Sequence, residues 1–192
     1  PFGPLAKLCL VEAELDGGGV GLFALPCYAL GVVWRERAAM DETVRRYDLE
    51  LSGSAGASLF GETNARDEIL EMIDEWRVVL AAQTEGGCRR LVAMTAEYVK
   101  EREQFGRPVG SNQAVKVRIA EMAAAVEKMR AAIYFAALAI EQNLDERLLA
   151  VAMAKAESGV PGSFVGTQAI HTHGAIGYTW EQDVHLFVKR VK

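Results

Sequence analysis

The segment 101–113 gathers side chains that could bind a phosphate-bearing ligand, within a charged break between two long apolar-periodic segments. Arg102 offers a guanidinium fork that suits a pyrophosphate, while Phe105 offers an aromatic face and Gln113 an amide. The next helix is predicted to begin here, and its free N–H groups and partial positive charge would favour the same anion. Taken alone, the segment also fits an ordinary interhelical turn.

The first part of the chain is predicted to form strands. Apolar runs at 8–11 and 20–25 flank the glycine-rich segment 16–19, which is typical of a β-hairpin. Residues 32–34 and 47–51 are predicted as further strands, the latter with the period of two that a half-buried strand shows.

From about Asp67 onward, apolar residues recur at three- and four-residue steps, which predicts helices. A second helix is predicted to begin at Ser111 as its N-cap, a third from about Asp145 with a kink at Pro161, and a fourth within 181–192. The apolar stripes predicted on the first three helices are Ile69, Ile73, Trp76, Leu80, Gly87, Leu91, Met94 and Tyr98; Val115, Ile119, Met122, Val126, Met129, Ile133, Ala137 and Ile140; and Leu148, Leu149, Val151, Ala152 and Ala156.

The order of these elements predicts an α+β fold, in which a short β segment precedes an antiparallel up-down four-helix bundle. We assign residues 1–58 to a partial β domain, 59–66 to a linker and 67–192 to a C-terminal α-helical bundle domain.

Composition limits the function classes. A net charge of −5 and a pI of about 5.3 argue against nucleic acid or an anionic membrane as the main partner. No signal peptide is visible and the chain does not begin with Met, so we expect a segment of a longer, cytoplasmic protein.

The three cysteines, Cys9, Cys27 and Cys88, are odd in number and widely spaced, which favours structural thiols. His171 and His173 lack further ligands at matching spacing, so no metal is predicted.

Two segments resemble the signatures of the acyl-CoA dehydrogenase family. Residues 98–113, YVKEREQFGRPVGSNQ, are similar to the signature at the junction of two bundle helices, and residues 173–181, HGAIGYTWE, are similar to a second one. The likeness spans the whole chain but only the family's C-terminal half, namely the end of a β-barrel-like middle domain and the helical bundle. It implies FAD bound at a subunit interface in a homo- or hetero-oligomer, such as a dimer of dimers.

The resemblance also assigns cofactor contacts. Arg102 would pair with the FAD pyrophosphate, and Phe105 would pack against the cofactor. Further contacts would come from Glu103, Gln104, Asn112 and Gln113.

The segment 171–175 would meet the adenosine-diphosphate part of FAD. Gly174 fits because a bare backbone lets the chain approach a phosphate closely. The family usually has Gln where this chain has His171, and a second Gly where it has Ala175.

Asp74 and Arg77 match family positions that contact the acyl-CoA substrate. They lie three residues apart and therefore share one helical face. Without the resemblance, the same two residues would be interpreted as a solvated ion pair.

The reaction that the resemblance implies needs a carboxylate to remove the substrate α-proton. The family places this glutamate either in a loop beyond the end of this chain or directly before Arg77, where this chain has Trp76. Glu75 and Glu85 are predicted to point elsewhere around the helix, and Gln83 shares the face but cannot take a proton. The catalytic residue is therefore unknown, and Trp76 would either line an acyl pocket or pack in the core.

Three functions follow. The first is FAD-dependent α,β-desaturation of an acyl-CoA thioester by this chain or by an enzyme of which it is a subunit, with an electron-transfer acceptor protein as partner. The second is a non-catalytic partner subunit of a heteromeric acyl-CoA dehydrogenase, and the third is a flavin oxidase or oxygenase of the same fold. The acyl chain specificity is not predicted.

Overall fold

The structure, a computed structural model, describes residues 3–192. It separates into two compact units, with the boundary between Ile73 and Asp74. This boundary falls inside the first long helix, and the division into 1–58, 59–66 and 67–192 stays a prediction.

The first unit consists of short antiparallel sheets. Strands β1 (Leu8–Glu14) and β2 (Val20–Pro26) form the predicted hairpin, and β5 (Ala57–Ser58) pairs with β2. Strands β3 (Val32–Arg37) and β4 (Arg46–Leu51) form a second pair, as predicted. Strand β5 was not expected, because two residues are too few to show an alternating pattern.

The second unit is a bundle of helices, and the predicted α+β fold is confirmed. The helices are α1 (Arg66–Glu101), which enters this unit at Asp74, α2 (Gln113–Glu141), α3 (Arg147–His173) and α4 (Val184–Val191). Pro161 lies inside α3, which continues as a helix to its end. Within the described part of the chain, no helix combines the length and the hydropathy needed to cross a membrane.

The bundle core is built largely from small and medium apolar side chains. The predicted stripe of α2 is confirmed through Met122, Val126, Met129 and Ile133, but Ala137 is exposed. Small residues let the helices pack closely. The buried apolar residues of the bundle are Val78, Ala81, Cys88, Leu91, Met122, Val126, Met129, Ile133, Ala136, Ala139, Ala150, Val151, Ala154, Val165, Ala169, Val184, Val188 and Val191.

The predicted stripes of α1 and α3 were partly wrong. Trp76 and Leu80 are 57% and 47% exposed, and Leu148 and Leu149 are 65% and 60% exposed. The buried face of α1 within the bundle follows smaller or polar residues instead, and it consists of Asp74, Val78, Ala81, Cys88, Leu91, Thr95 and Val99. The spacing of large apolar residues misled the prediction, because the buried face of α1 is formed mainly by smaller or polar residues that the predicted stripe left out.

The predicted start of α2 was also wrong. Ser111 lies in a short 3-10 turn, Val109–Ser111, and the helix begins at Gln113 after Asn112. The side chain of Asn112 makes no cap hydrogen bond to α2, because its polar atoms are bonded elsewhere in the junction.

The cysteines are free thiols in the described chain. Cys27 and Cys88 are buried and Cys9 is half-buried, which confirms the expectation of structural thiols for the first two. Burial raises the pKa of the Cys88 thiol to about 12, so it stays protonated at neutral pH.

Candidate functional site

The segment between α1 and α2 folds as a tight hairpin that the sequence did not predict. Strands β6 (Glu103–Gln104) and β7 (Arg107–Pro108) pair in antiparallel fashion across a two-residue turn. Both turn residues have positive φ, 56° at Phe105 and 77° at Gly106, which is the pattern of a type I′ turn. Glycine suits this conformation, but a bulky residue rarely adopts it.

Backbone hydrogen bonds attach the hairpin to α1. The N–H of Arg102 donates to the carbonyl of Tyr98 over 2.8 Å, and the N–H of Val109 donates to the carbonyl of Arg102 over 2.8 Å. The direction in which the hairpin leaves the helix is therefore set by main-chain geometry.

The hairpin exposes most of the side chains predicted to contact FAD. Phe105 at the tip is fully exposed, and the side chains of Arg102, Glu103, Gln104 and Gln113 are exposed as well. The junction, defined as residues 102–113, thus presents a guanidinium, an aromatic ring and amides on one surface segment.

Asn112, a predicted FAD contact, uses both polar atoms of its side chain in hydrogen bonds within the junction. Its Oδ1 accepts a hydrogen bond from Arg107 Nη2 over 2.7 Å, and its Nδ2 donates to the carbonyl of Val109 over 3.2 Å. These bonds close the junction onto the start of α2, so the side chain supports the loop.

A glycine ends α3 at the second predicted segment. Gly174 has φ 70° and ψ −144°, and its N–H donates to the carbonyl of Ile170. This region of backbone space is close to one that only glycine occupies readily. Apart from its neighbours in the chain, no residue places a heavy atom within 4 Å of the position that a Cβ would take, so the space beside Gly174 is open, as an approaching phosphate would need. The side chains of His171 and Ala175 are exposed.

One aromatic contact joins the two segments. The rings of Tyr98 and His173 stack with centroids 4.4 Å apart and an interplanar angle of 23°, and the Tyr98 hydroxyl donates to the His173 carbonyl over 3.2 Å. Tyr98 lies one helical turn before the junction, and its carbonyl accepts the hydrogen bond from the Arg102 N–H, while His173 directly precedes Gly174. The structure therefore brings the junction and the turn 171–175 to the same end of the bundle.

His173 lies in the segment predicted to contact the ligand, but in the structure its side chain packs inside the bundle. Its side chain is buried, and its Nδ1 lies 2.8 Å from the carbonyl of Ala169. Burial lowers the pKa of the imidazole, so the ring is neutral at pH 7 and Nδ1 donates the hydrogen bond. His171 and His173 thus face different surroundings, and no group of three or more metal-binding side chains occurs among residues 3–192.

The predicted substrate pair forms a close ion pair on α1. Arg77 Nη1 donates to Asp74 Oδ1 over 2.7 Å. The Asp74 side chain is 8% exposed and the Arg77 side chain is 51% exposed. The pair is therefore not simply solvated, because the carboxylate is buried while the guanidinium reaches the surface.

Trp76, beside this pair, is not a core residue of the described chain, since it is 57% exposed. Leu80 and Val79 follow it along the helix and are 47% and 56% exposed. Together they give this side of α1 an apolar surface.

Comparisons with known proteins agree with this fold. Residues 67–192 match the family described as "Acyl-CoA dehydrogenase, C-terminal domain". Across the full length, the chain is 30% identical to the acyl-CoA dehydrogenase FadE27 of Mycobacterium tuberculosis, of which it covers 52%. It is 28% identical over 80% of its length to the acyl-CoA dehydrogenase IpdE2 of Mycolicibacterium smegmatis, of which it covers 50%. Among solved structures, the ChsE4–ChsE5 complex from M. tuberculosis matches with a TM-score of 0.88 at 29% identity, over 100% of this chain and 51% of that chain.

The chain therefore has the fold of this solved structure, in which a β segment precedes a helical bundle. The chain belongs to the acyl-CoA dehydrogenase family. It spans about half the length of the curated relatives described above.

Proposed function

We propose that this chain is a subunit of an FAD-dependent acyl-CoA dehydrogenase that desaturates an acyl-CoA thioester between its α and β carbons. The observation that carries the proposal is the pairing of the junction with the glycine turn at one end of the bundle, through Tyr98 and His173. When bound, FAD would supply the acceptor for the hydride that leaves the substrate β-carbon.

The exposed groups fit the parts of this cofactor. The Arg102 guanidinium would hold the pyrophosphate, because a planar fork of donors matches phosphate oxygens. The Phe105 ring would cover an aromatic face of the cofactor, and the open backbone at Gly174 would admit a phosphate of the adenosine-diphosphate part. The other groups within reach of this ligand would be Glu103, Gln104, Gln113, His171 and Ala175.

A neighbouring subunit completes the site in this proposal. Phe105 stands fully exposed at a hairpin tip, so it has a large apolar surface to bury against something outside the described chain. The oligomer would be homomeric or heteromeric, and similarity to a subunit of the ChsE4–ChsE5 complex supports a heteromeric one.

The substrate would contact α1. The buried Asp74 carboxylate would accept hydrogen bonds from amide groups of the CoA arm, while the half-exposed Arg77 guanidinium holds that carboxylate in place. The apolar side of α1 at Trp76 and Leu80 would then face the acyl chain.

A second role is favoured by Trp76. Indole cannot remove a proton, and this residue occupies a position where the family resemblance places the general base. If the base lies on a partner subunit, this chain would hold cofactor and CoA while its partner performs the proton transfer.

Flavin spectroscopy on the purified chain, together with any subunit that copurifies, tests the proposal. We expect flavin absorbance that bleaches when an acyl-CoA is added. A preparation that stays colourless and cannot be reconstituted with FAD would contradict it.

Trp76→Glu separates the two roles. If this chain is the non-catalytic subunit, the wild-type chain alone should not turn over acyl-CoA, and the added carboxylate should restore measurable bleaching. Leu149→Glu, at an exposed apolar position of α3, is the control for adding a carboxylate. Turnover by a wild-type homo-oligomer would remove the non-catalytic role, and oxygen consumption during turnover would point instead to oxidase chemistry.

A further inference from the structure

Tyr98 contacts both of the segments that the proposed function assigns to FAD, and it uses a different part of the residue for each. Its carbonyl accepts the N–H of Arg102 over 2.8 Å, where the junction begins. Its ring stacks on His173, which directly precedes Gly174. One residue in the last turn of α1 therefore connects the segment that carries the Arg102 guanidinium with the turn 171–175.

The side chain of Tyr98 makes two contacts with the same residue of α3. The rings lie nearly parallel, with centroids 4.4 Å apart, and the hydroxyl donates to the His173 carbonyl over 3.2 Å. Carbonyls in the last turn of a helix lack partners within that helix, so this bond attaches the end of α3 to α1. A ring stack alone would allow sliding and a single hydrogen bond would allow rotation, but together they restrict both movements.

His173 is itself held from the side of α3. Its imidazole is buried, and its Nδ1 lies 2.8 Å from the Ala169 carbonyl. Gly177, in the 3-10 turn that follows α3, approaches so closely that a Cβ there would lie 3.0 Å from the His173 Cβ. His173 therefore has little room to move away from Tyr98 unless the backbone around Gly174 moves with it.

The junction is attached to α1 at both of its ends. It begins with the bond from Arg102 to Tyr98, and near its other end Gly110 lies against the Val99 main chain. A Cβ at Gly110 would lie 2.8 Å from the Val99 carbonyl oxygen. The last turn of α1 thus sets the position of the junction, and the contact between Tyr98 and His173 relates that position to the end of α3.

We propose that Tyr98 is a positioning residue for FAD, which fixes the spacing between the Arg102 guanidinium and the turn 171–175. This inference rests on the proposed function, because FAD is the ligand that would contact both segments. A ligand that contacts two segments binds more tightly when their spacing is fixed beforehand, since less conformational freedom is lost on binding. Removing the Tyr98 side chain would loosen this spacing while the predicted FAD-contacting side chains remain in the chain.

Fluorescence titration of the assembled protein with FAD tests the proposal in Tyr98→Leu and Tyr98→Phe. We expect Tyr98→Leu to bind FAD about tenfold more weakly, because it loses both the ring stack and the hydroxyl. Tyr98→Phe keeps the stack and should lose less. Tyr134→Leu, which removes an exposed tyrosine ring on α2, is the matched control and should bind FAD like the wild type.

A double-mutant cycle with Arg102→Gln separates positioning from a merely structural role. If Tyr98 acts by placing Arg102, Tyr98→Leu should weaken FAD binding much less in the Arg102→Gln background, because no guanidinium remains to be misplaced. Should Tyr98→Leu fail to assemble, Tyr98→Phe carries the same cycle. Equal fold-changes in both backgrounds would overturn the proposal, since they would mean that Tyr98 only stabilises the fold.

The wild-type titration distinguishes failure of this inference from failure of the proposed function. Wild-type protein that binds FAD, together with a Tyr98→Leu variant of unchanged FAD affinity, would overturn the positioning role and leave the proposed function in place. Wild-type protein that does not bind FAD would contradict the proposed function and the positioning role together.

Discussion

The junction and the Asp74–Arg77 pair are held in place by different means. The junction is fixed by main-chain hydrogen bonds and positive φ angles, and its functional side chains are exposed. Asp74, in contrast, is held by burial and by its bond to Arg77. Changes of side chain at the junction should therefore alter binding with little effect on folding, whereas a change at Asp74 should affect both.

Asp74→Asn, which changes the buried carboxylate of the Asp74–Arg77 pair, should produce the largest loss of stability. The buried carboxylate loses its charge-assisted bond to Arg77, and we expect a cost of about 1–3 kcal/mol in the free energy of unfolding. The half-exposed guanidinium places the value toward the lower end. Urea unfolding measures it, with the exposed Glu75→Gln on the same helix as control. Equal effects of the two substitutions would show that the Asp74 ion pair does not stabilise the fold.

Gly174→Ala tests whether the turn 171–175 depends on backbone conformation. A Cβ at φ 70° and ψ −144° is strained although no atom blocks it, so we expect a loss of about 1–3 kcal/mol. Gly159→Ala in α3, where nothing lies within 4 Å and φ is not positive, should instead stabilise by roughly 0.5–1 kcal/mol. Thermal unfolding midpoints that fall for Gly174→Ala and rise for Gly159→Ala would confirm that the two backbone positions differ. Midpoints that shift in the same direction would argue against it.

His173 should make stability depend on pH. Burial lowers its folded-state pKa, while the unfolded value is about 6.5. The unfolded chain therefore binds more protons as the pH falls below about 6.5, and the folded state loses stability in that direction. His173→Gln should flatten the pH dependence between pH 6.5 and 5, whatever its effect at pH 7. His171→Gln is the control for removing an exposed imidazole nearby, and a slope that persists in His173→Gln would exclude this cause.

Phe105→Asn should have the smallest effect on folding, and in the opposite direction. Asn-Gly is the preferred pair for a type I′ turn, whereas phenylalanine is strained at φ 56°. We expect the variant to gain a few tenths to about 1 kcal/mol in urea unfolding while it loses affinity for FAD. A loss of stability would mean that the Phe105 ring contributes to the fold of this chain.

The parts of the structure that could be predicted are those in which apolar residues recur at a regular spacing. The Asp16–Gly19 hairpin and the Met122–Ile133 stripe of α2 repeat a simple pattern, because one face of each element is buried. The ion pair at Asp74 and Arg77 could be placed on one helical face for the same reason.

The rest was decided by contacts that no local pattern encodes. The hairpin at Phe105 opposes the intrinsic preference of that residue, so propensity could not reveal it. Ser111 was a good cap by type, but Asn112 stands next to α2 because Arg107 and Val109 bind its side chain. Trp76 was placed on the apolar stripe by its spacing from Ile73 and Leu80, whereas smaller residues such as Ala81 form the buried face of α1. The position of His173 against Tyr98 required the tertiary fold.

The most direct test of the central claim is the FAD dissociation constant of the assembled protein, measured for the wild type and for Arg102→Gln. We expect the variant to bind FAD at least about tenfold more weakly, since it loses a charge-assisted contact to the pyrophosphate, with its unfolding midpoint unchanged. Arg90→Gln, which removes an exposed charge on α1 outside the junction, should bind FAD like the wild type. An FAD affinity that Arg102→Gln leaves unchanged would contradict the assignment of the junction as a flavin site.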